Sequence, residues 1–366
     1  MREILKELEA WSGAGNDLAL ATVVRTVGSS PRPVGSKMLM SARGDLAGSV
    51  SGGCVEGAVL EVAEQVMETG RPRHLRFGVA DEEAWAVGLS CGGTIQVFLE
   101  RVGSAGLDTG PSVHDLAGLA AAGARGVVVT RVGLAEDQGG TAESVAGDPN
   151  GGARLHIDSE GSVQGSLGSV SLDAAARREA SRRQQTAGKG GGSGLSEVEG
   201  VQLFFEILAP RPRLVIVGAV HIAISLARLA REMDFSVTVV DARDRFATRE
   251  RFPDVEELLV GWPGEVMEEL ELDDASHVVV ITHDPKLDNP ALRVALSRPV
   301  PYVGALGSRR THERRLGALR SDGVGEAELA RIHAPIGLDI GARTPAEIAL
   351  ATMAQIVAVR RGASTS

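Results

Sequence analysis

The residue of this sequence best suited to nucleophilic or metal chemistry is a cysteine in a glycine-rich turn. Cys54 follows Gly52 and Gly53 and lies where an amphipathic helix is expected to begin, since apolar residues recur at helical spacing from Val55 to Met67. The N–H groups and the positive dipole at a helix N-terminus favour a thiolate, which attacks a substrate or binds a metal. We therefore name Cys54 as a candidate catalytic residue and metal ligand. Burial for packing alone is the alternative.

Two further residues are candidates for the same chemistry. Glu56 lies in the first turn of the predicted helix, where a carboxyl group is placed to relay a proton. Cys91 occupies a second glycine turn, Gly88–Gly93, directly before the predicted strand Thr94–Leu99. The two cysteines lack the C-x-x-C spacing of zinc and redox sites, so the sequence alone identifies neither kind of site. We name Glu56 and Cys91 as candidate catalytic residues.

The segment Gly28–Lys37 is a polar turn that combines two cations with three serine hydroxyls. Such a turn suits an anionic ligand, and the Gly-Gly turn before Cys54 lets a ligand approach the backbone. A solvated hairpin is the alternative. The candidate cofactor-binding residues in this half of the chain are Ser29, Ser30, Arg32, Lys37, Gly52 and Gly53.

The second half of the chain contains a Rossmann pattern. The buried strand Leu214–Val217 is followed by a glycine turn at Gly218, a helix, and the strand Ser236–Val240, which ends at Asp241. In such a unit the turn binds a phosphate and the acid binds a ribose hydroxyl. Val220 stands where the second glycine of the dinucleotide fingerprint is expected, and its side chain obstructs a pyrophosphate. The pattern therefore predicts the topology and disfavours NAD(P).

Further strands at Glu257–Val260, Val278–Thr282 and Pro301–Val303 extend the predicted parallel sheet. Polar loops follow the last two strands, at the edge where open α/β sheets bind ligands. Residues Thr344–Glu347 form a capping box that opens a final apolar helix. The candidate cofactor-binding residues in this half are Gly218, His221, Asp241, His283, Asp284, Gly307, Ser308, Arg309, Arg310 and Arg343.

The chain is predicted to be an α/β protein of two domains. Residues 1–209 are expected to form a mixed α+β domain, and residues 210–366 a Rossmann-like doubly wound parallel sheet. The glycine-rich residues 186–200 are interpreted as a loop or linker, and Val201–Leu208 as a strand that Pro210 stops. Met38–Ser49 aligns with Leu155–Ser166, which favours an internal duplication in which Ser171 corresponds to Cys54. A chance likeness of two glycine-serine turns is the alternative.

Composition excludes several classes of protein. Of 366 residues, 38 are Lys or Arg and 48 are Asp or Glu, and the net charge of −10 argues against binding bulk nucleic acid. An aromatic content of 3% argues against a base-stacking surface. No apolar run is long enough to span a membrane, and the first residues do not resemble a secretory signal. We expect a cytoplasmic protein that binds neither nucleic acid nor membranes.

Taken together, these motifs resemble those of the XdhC/CoxI proteins, accessory factors for the maturation of molybdenum hydroxylases such as xanthine dehydrogenase and carbon monoxide dehydrogenase. The resemblance implies binding of molybdenum cofactor, as molybdopterin or its dinucleotide form. It also implies protection of the cofactor during sulfuration by a cysteine desulfurase, delivery to an apo-hydroxylase, and a homodimer. The segments that carry it are Gly28–Arg32, Gly48–Glu56, Gly88–Gly93, Thr282–Asp284, Gly307–Thr311 and Pro335–Pro345.

Three hypotheses follow from the sequence. The first is a cofactor-binding chaperone that is a maturation factor without turnover of its own. The second is an NAD(P)-dependent oxidoreductase, which the Rossmann pattern favours and which Val220 and the lack of an evident hydride-transfer site disfavour. The third is a scaffold whose glycines serve packing alone, which leaves the cysteine turns and the paired arginines unexplained.

Overall fold

The computed structural model describes residues 1–78, 93–103, 110–134, 148, 150–186 and 192–364. The chain forms two compact units, Met1–Pro210 and Arg211–Ser366. The predicted class is confirmed, because the first unit contains antiparallel sheets with helices and the second contains a parallel Rossmann-like sheet.

The first unit is built on two five-stranded antiparallel sheets. Its elements in chain order are α1 (Leu5–Gly13), β1 (Leu18–Val27), β2 (Lys37–Ser41), β3 (Leu46–Gly48), α2 (Glu56–Thr69), β4 (Arg73–Phe77), β5 (Thr94–Arg101), α3 (Val113–Ala121), β6 (Gly126–Leu134), β7 (Arg154–Asp158), β8 (Val163–Gly165), α4 (Val170–Thr186), β9 (Gly194–Val198) and β10 (Val201–Leu208). Apolar residues of α2 pack on one sheet, and those of α4 pack on the other.

The two sheets repeat one topology. Their strand orders, β3-β2-β1-β5-β4 and β8-β7-β6-β10-β9, match strand for strand. The turn before each helix is also built alike, because Ser49 Oγ donates to Glu56 at 2.6 Å and Ser166 Oγ donates to Asp173 at 2.8 Å. The predicted internal duplication is therefore confirmed, and it extends over the full set of strands and not only the aligned hairpin.

The repeats contact each other reciprocally. Lys37 of the first repeat pairs with Glu206 of the second at 2.8 Å, and Arg154 of the second pairs with Glu100 of the first. Lys37 and Arg154 hold equivalent positions at the start of β2 and β7. Such reciprocity is the signature of an interface with two-fold symmetry, here within one chain. The apolar contact in the same region consists of Val24, Phe98, Val132 and Phe204.

The glycine-rich stretch of residues 186–200 corrects one expectation. Its second half is not a linker, because Gly194–Val198 forms strand β9, which pairs with β10 in antiparallel register. Glu199 and Gly200 connect the two strands with φ of +50° and +74°, as a two-residue hairpin requires. The predicted strand Val201–Leu208 is confirmed with the same bounds.

The second unit is a six-stranded parallel sheet in the order β13-β12-β11-β14-β15-β16. Its elements in chain order are β11 (Arg213–Val217), α5 (His221–Glu232), β12 (Ser236–Asp241), β13 (Glu257–Val260), α6 (Pro263–Glu269), β14 (Ser276–Val280), α7 (Pro285–Leu296), β15 (Tyr302–Ala305), α8 (Arg309–Ser321), α9 (Glu326–Leu329), β16 (Ile332–His333) and α10 (Pro345–Arg361). Helices α5 and α10 cover one face, and α7 and α8 pack on the other.

The helix that ends the second unit begins as predicted. Thr344 and Glu347 form a capping box, and Pro345 occupies the first helical position of α10. Among the described residues, no helix combines the length and the apolar character that crossing a bilayer requires.

Candidate functional site

The loop before α2 is organised around the carboxylate of Glu56. Backbone N–H groups of Ser51, Gly52 and Gly53 donate to it at 2.9, 3.1 and 3.0 Å, and the hydroxyls of Ser49 and Ser51 donate as well. Successive N–H groups that converge on one point form a nest, a geometry that proteins use to hold anions. The side chain of Glu56 therefore serves as the anchor of the loop.

These hydrogen bonds keep Glu56 ionised. Burial alone would raise the pKa of this carboxyl group, but the hydrogen bonds from Ser49 and Ser51 lower the pKa to about 2. A proton relay works best when its pKa lies near the working pH. The hydrogen bonds give Glu56 a part in shaping the loop, and its role in proton transfer stays a prediction.

Cys54 lies in this loop, one residue before the N-cap of α2, which is Val55. The side chain is half-buried and packs at the edge of the core beneath α2, and the backbone N–H donates to Ser51 Oγ at 2.9 Å. The two preceding glycines adopt φ of +77° and +111°, which side chains rarely tolerate. The sequence thus places Cys54 beside a helix N-terminus as predicted.

The sequence predicts that Cys54 acts together with Cys91 and binds a metal. Cys91 lies outside the described residues. Within the described ranges, no group of three or more His, Cys, Asp or Glu side chains is arranged to hold a metal ion. Cys54 as a metal ligand stays a prediction.

The polar turn Gly28–Lys37 lies against the cysteine loop. Arg32 Nε donates to the Ser49 carbonyl oxygen at 3.2 Å, and a Cβ built on Gly52 would lie 3.7 Å from Pro31 Cβ. On the strand side, a Cβ on Gly93 would collide with the Ser29 carbonyl oxygen, so this position requires glycine. The structure therefore places Arg32 against the loop that carries Cys54, and Ser29 against Gly93.

The cations and hydroxyls of this turn are not equally available. Ser29 is exposed, whereas Ser30 donates to the Arg32 carbonyl oxygen at 2.9 Å, and Arg32 also pairs with Glu3. The side chain of Lys37 is 2% exposed and its ammonium is bound by Glu206. This corrects the expectation for Lys37, because a buried, paired ammonium joins the two repeats and is not presented to a ligand.

In the second unit, the glycine turn after β11 is tightly packed. Gly218 has φ of +114°, and a Cβ there would come within 3.0 Å of the Thr282 backbone nitrogen. Val220 is the N-cap of α5, and its side chain caps no N–H group. His221, the first helical residue, is exposed beside this turn.

Asp241, at the end of β12, is fully engaged by its own chain. One carboxylate oxygen accepts from Ala219 N at 2.7 Å and Arg243 Nη2 at 2.7 Å, and the other accepts from Arg243 N and Nε at 2.9 and 2.8 Å. Burial opposes ionisation, but the Arg243 contacts lower the pKa of Asp241 below its usual range. Asp241 thus braces the Gly218 turn, and the free acceptor that a ribose requires is not offered. Asp241, bound by Ala219 and Arg243, therefore does not fit the ribose of NAD.

Polar groups follow β14 and β15 at the same edge of the sheet. Asp284 caps α7 by accepting from Lys286 N at 3.0 Å, and Ser308 caps α8 by accepting from Thr311 N at 3.2 Å. Because parallel strands end together, this edge groups the predicted residues of the two loops. The exposed members of the set are His283, Asp284, Ser308, Arg309 and Arg310. Arg343 is exposed as well and lies just before α10.

Sequence reasoning missed a buried network under these loops. Thr282 Oγ1 donates to Asp288 at 2.5 Å, and Arg315 Nη2 donates to Asp288 at 3.2 Å and to Leu306 O at 2.9 Å. Burial raises the pKa of Asp288, against the opposing effects of its hydrogen bonds. For Asp288, the signal available in the sequence was a carboxyl group among the apolar residues of α7. Arg243 was missed as well.

Comparison with known proteins bears on both units. The profile of the XdhC and CoxI family matches residues 11–78, and that of the XdhC Rossmann domain matches residues 214–356. The chain belongs to the XdhC and CoxI family. The predicted resemblance is thereby confirmed, and the two matched ranges contain the cysteine loop and the Gly218 turn of this XdhC/CoxI protein.

Relatives of this XdhC/CoxI protein align over nearly its whole length. A Bacillus subtilis protein whose name describes it as a probable component of xanthine dehydrogenase is 27% identical, with 94% of each chain covered. The Escherichia coli molybdenum cofactor insertion chaperone PaoD is also 27% identical, covering 95% of this chain and 85% of PaoD. A Bacillus halodurans crystal structure described as a xanthine dehydrogenase matches with a TM-score of 0.76 and 26% identity, over 98% of this chain and 96% of that one.

Proposed function

We propose that this chain is a chaperone that binds molybdenum cofactor as cargo and delivers it to an apo molybdenum hydroxylase. The observation that carries the proposal is the alignment with PaoD, a protein named as a molybdenum cofactor insertion chaperone, over 95% of this chain. An alignment of that extent includes both the cysteine loop and the Rossmann unit. The similarity is therefore not limited to the Rossmann fold, which many unrelated proteins share.

The geometry of each unit is compatible with this cargo. The cofactor carries a phosphate or a pyrophosphate, and the sheet edge of the second unit offers two exposed arginines at the start of α8. Cys54, in a loop braced by Glu56, supplies a half-buried thiol that is suited to contact molybdenum or sulfur. We assign the anion-binding role to the Rossmann edge and the thiol role to Cys54, with Cys91 as its proposed companion.

The finer parts of the proposal concern the partners. We propose that the cofactor stays bound while a cysteine desulfurase supplies sulfur, that the client is a hydroxylase of the xanthine or carbon monoxide dehydrogenase type, and that the chaperone acts as a homodimer in the cytoplasm. The competing hypothesis, an NAD(P)-dependent oxidoreductase, lacks support at Asp241, whose carboxylate is occupied by Arg243 and Ala219.

The experiment that tests this proposal measures the transfer of molybdenum cofactor from this chain to an apo-hydroxylase. Purified chain loaded with molybdenum cofactor is mixed with an apo-hydroxylase of this type, and hydroxylase activity is followed with and without a cysteine desulfurase. We expect activity to appear with the loaded chain and to fall with a Cys54→Ser variant of equal fold. Tight NAD(H) binding with a substrate-dependent change in nicotinamide absorbance, and no transfer, would overturn the proposal.

A further inference from the structure

A buried arginine lies beneath the turn that connects β15 to α8. The side chain of Arg315 is 5% exposed, and its Nη2 is bound by Asp288 and the Leu306 carbonyl oxygen. Its other terminal nitrogen, Nη1, is buried too and has no hydrogen-bond partner among the described residues. Buried donors on charged groups are almost always paired, so this one requires an explanation.

The unpartnered nitrogen is directed at a glycine. A Cβ built on Gly307 would lie 3.7 Å from Arg315 Nη1 and 3.1 Å from Thr311 Cγ2, and φ at Gly307 is +148°. Glycine therefore leaves bare backbone next to the guanidinium. A ligand that approaches this turn meets no side chain at position 307.

The turn also begins a helix of 13 residues whose first turn carries unusual charges. Ser308 caps Thr311 N, whereas the N–H groups of Arg309 and Arg310 are the first two of α8 and have no acceptor within a helix. The first turn has no acidic residue and two arginines, although the helix dipole disfavours cations there. A bound anion would compensate both the dipole and the arginines.

A second unpartnered atom lies on the same helix. Among the described residues, Nδ1 of His312 is buried without a hydrogen-bond partner, three residues before Arg315 and thus on the same side of α8. Burial lowers the pKa of His312, and the nearby charge of Arg315 lowers it further. Its imidazole is therefore neutral near neutral pH.

Arg315 is held in place from the opposite side. Asp288 accepts from both Thr282 Oγ1 and Arg315 Nη2, so one carboxylate ties the loop after β14 to helix α8. This fixes one half of the guanidinium fork and leaves the other half, Nη1, for a second acceptor. Asp288 and Thr282 are positioning residues in this arrangement.

We propose that Arg315, together with the Gly307–Thr311 turn, forms a binding site for a phosphate or pyrophosphate group. A tetrahedral anion with several acceptor oxygens matches a guanidinium nitrogen, a serine hydroxyl and helical N–H groups. The identity of its carrier rests on the proposed function: a terminal phosphate belongs to molybdopterin, and a pyrophosphate belongs to its dinucleotide form. Arg315, and not only the exposed Arg309 and Arg310, then determines binding.

The test is calorimetric titration of the full chain with inorganic phosphate and with pyrophosphate. Arg315→Lys keeps the charge beside Asp288 and removes the fork, and we expect it to weaken binding about tenfold or more. Arg320→Lys is the matched control, because Arg320 lies on the same helix, is exposed and pairs with Glu326. The control is expected to bind as the unaltered chain does. The tighter of the two probes indicates which form of the cofactor is carried.

Hydrogen exchange of the unaltered chain makes the test independent of how the variant folds. We expect pyrophosphate or phosphate to protect amides within Gly307–Thr311. Absence of binding by both probes, protection elsewhere, or unchanged affinity in Arg315→Lys would overturn the site. Phosphate or pyrophosphate binding through Arg315 without cofactor transfer would refute the proposed function and leave the binding site standing. Cofactor transfer that Arg315→Lys does not affect would refute the binding site and leave the proposed function standing.

Discussion

Replacing Glu56, the anchor of the cysteine loop, is expected to destabilise the first unit in a pH-dependent way. Glu56→Gln keeps the shape of the side chain and removes the charge that several N–H and hydroxyl groups solvate. The pKa of Glu56 falls from 4.5 to about 2 on folding. At 1.36 kcal/mol per pKa unit, and after discounting for solvent access to the loop, the charge stabilises the fold by about 2 kcal/mol. Glu56→Gln is expected to lose that amount near neutral pH.

The sign of the pH dependence follows from the lowered pKa. A depressed carboxyl pKa contributes stability above the unfolded value of 4.5, and that contribution is lost as the pH falls towards 2. The difference in the free energy of unfolding between the unaltered chain and Glu56→Gln should therefore shrink over this window. Denaturant unfolding at a series of pH values measures it.

The second repeat supplies the matched control. Asp173 occupies the position of Glu56 and accepts from Ser166 Oγ and Leu167 N at 2.8 and 2.7 Å, fewer donors than Glu56 has. Asp173→Asn is expected to cost about 1 kcal/mol and to leave the reactivity of Cys54 towards a thiol reagent unchanged, whereas Glu56→Gln changes that reactivity. Equal stability of Glu56→Gln and the unaltered chain near neutral pH would refute the reasoning, as would a cost that does not vary with pH.

Three further changes test other parts of the account. Glu206→Gln should destabilise the first unit by about 3 to 5 kcal/mol, because it leaves the buried Lys37 ammonium without its counter-charge. The double variant Lys37→Met with Glu206→Leu should recover much of this loss, and chemical denaturation measures both free energies of unfolding. Asp241→Asn should lower the melting temperature of the second unit without creating NAD(H) affinity; detectable NAD(H) binding to this variant or to the unaltered chain would contradict the assignment. Arg309→Glu with Arg310→Glu should change stability by no more than about 0.5 kcal/mol, since both are exposed, yet reduce retained molybdenum cofactor about tenfold in metal analysis.

The parts of the site that the sequence predicted are local. The Cys54 loop, its helix and the Gly218 turn each depend on residues within one turn or hairpin, and glycines at positive φ mark them. Motif order was sufficient to predict the family. The Rossmann pattern was also readable, because β11, β12 and β14 are short apolar runs, and helices follow β11 and β14.

The parts that sequence reasoning missed depend on distant partners. Lys37 looked like a loop cation because Glu206, its partner, belongs to the other repeat. Asp241 looked like a ribose ligand because the hydrogen bonds from Arg243 were not considered. Strand β9 was read as a linker because the Glu199-Gly200 turn lacks the usual Asn or Asp. Burial of Arg315 could not be read from a helix rich in arginine.

The central claim is that this chain carries molybdenum cofactor. The most direct measurement is the molybdenum and pterin content of the chain purified from cells that make the cofactor, determined by elemental analysis and pterin fluorescence. The account predicts molybdenum and pterin in equal amounts, retained through gel filtration and reduced in Arg309→Glu with Arg310→Glu. A chain that is free of both from such cells, and that takes up neither on incubation with cofactor, would contradict it.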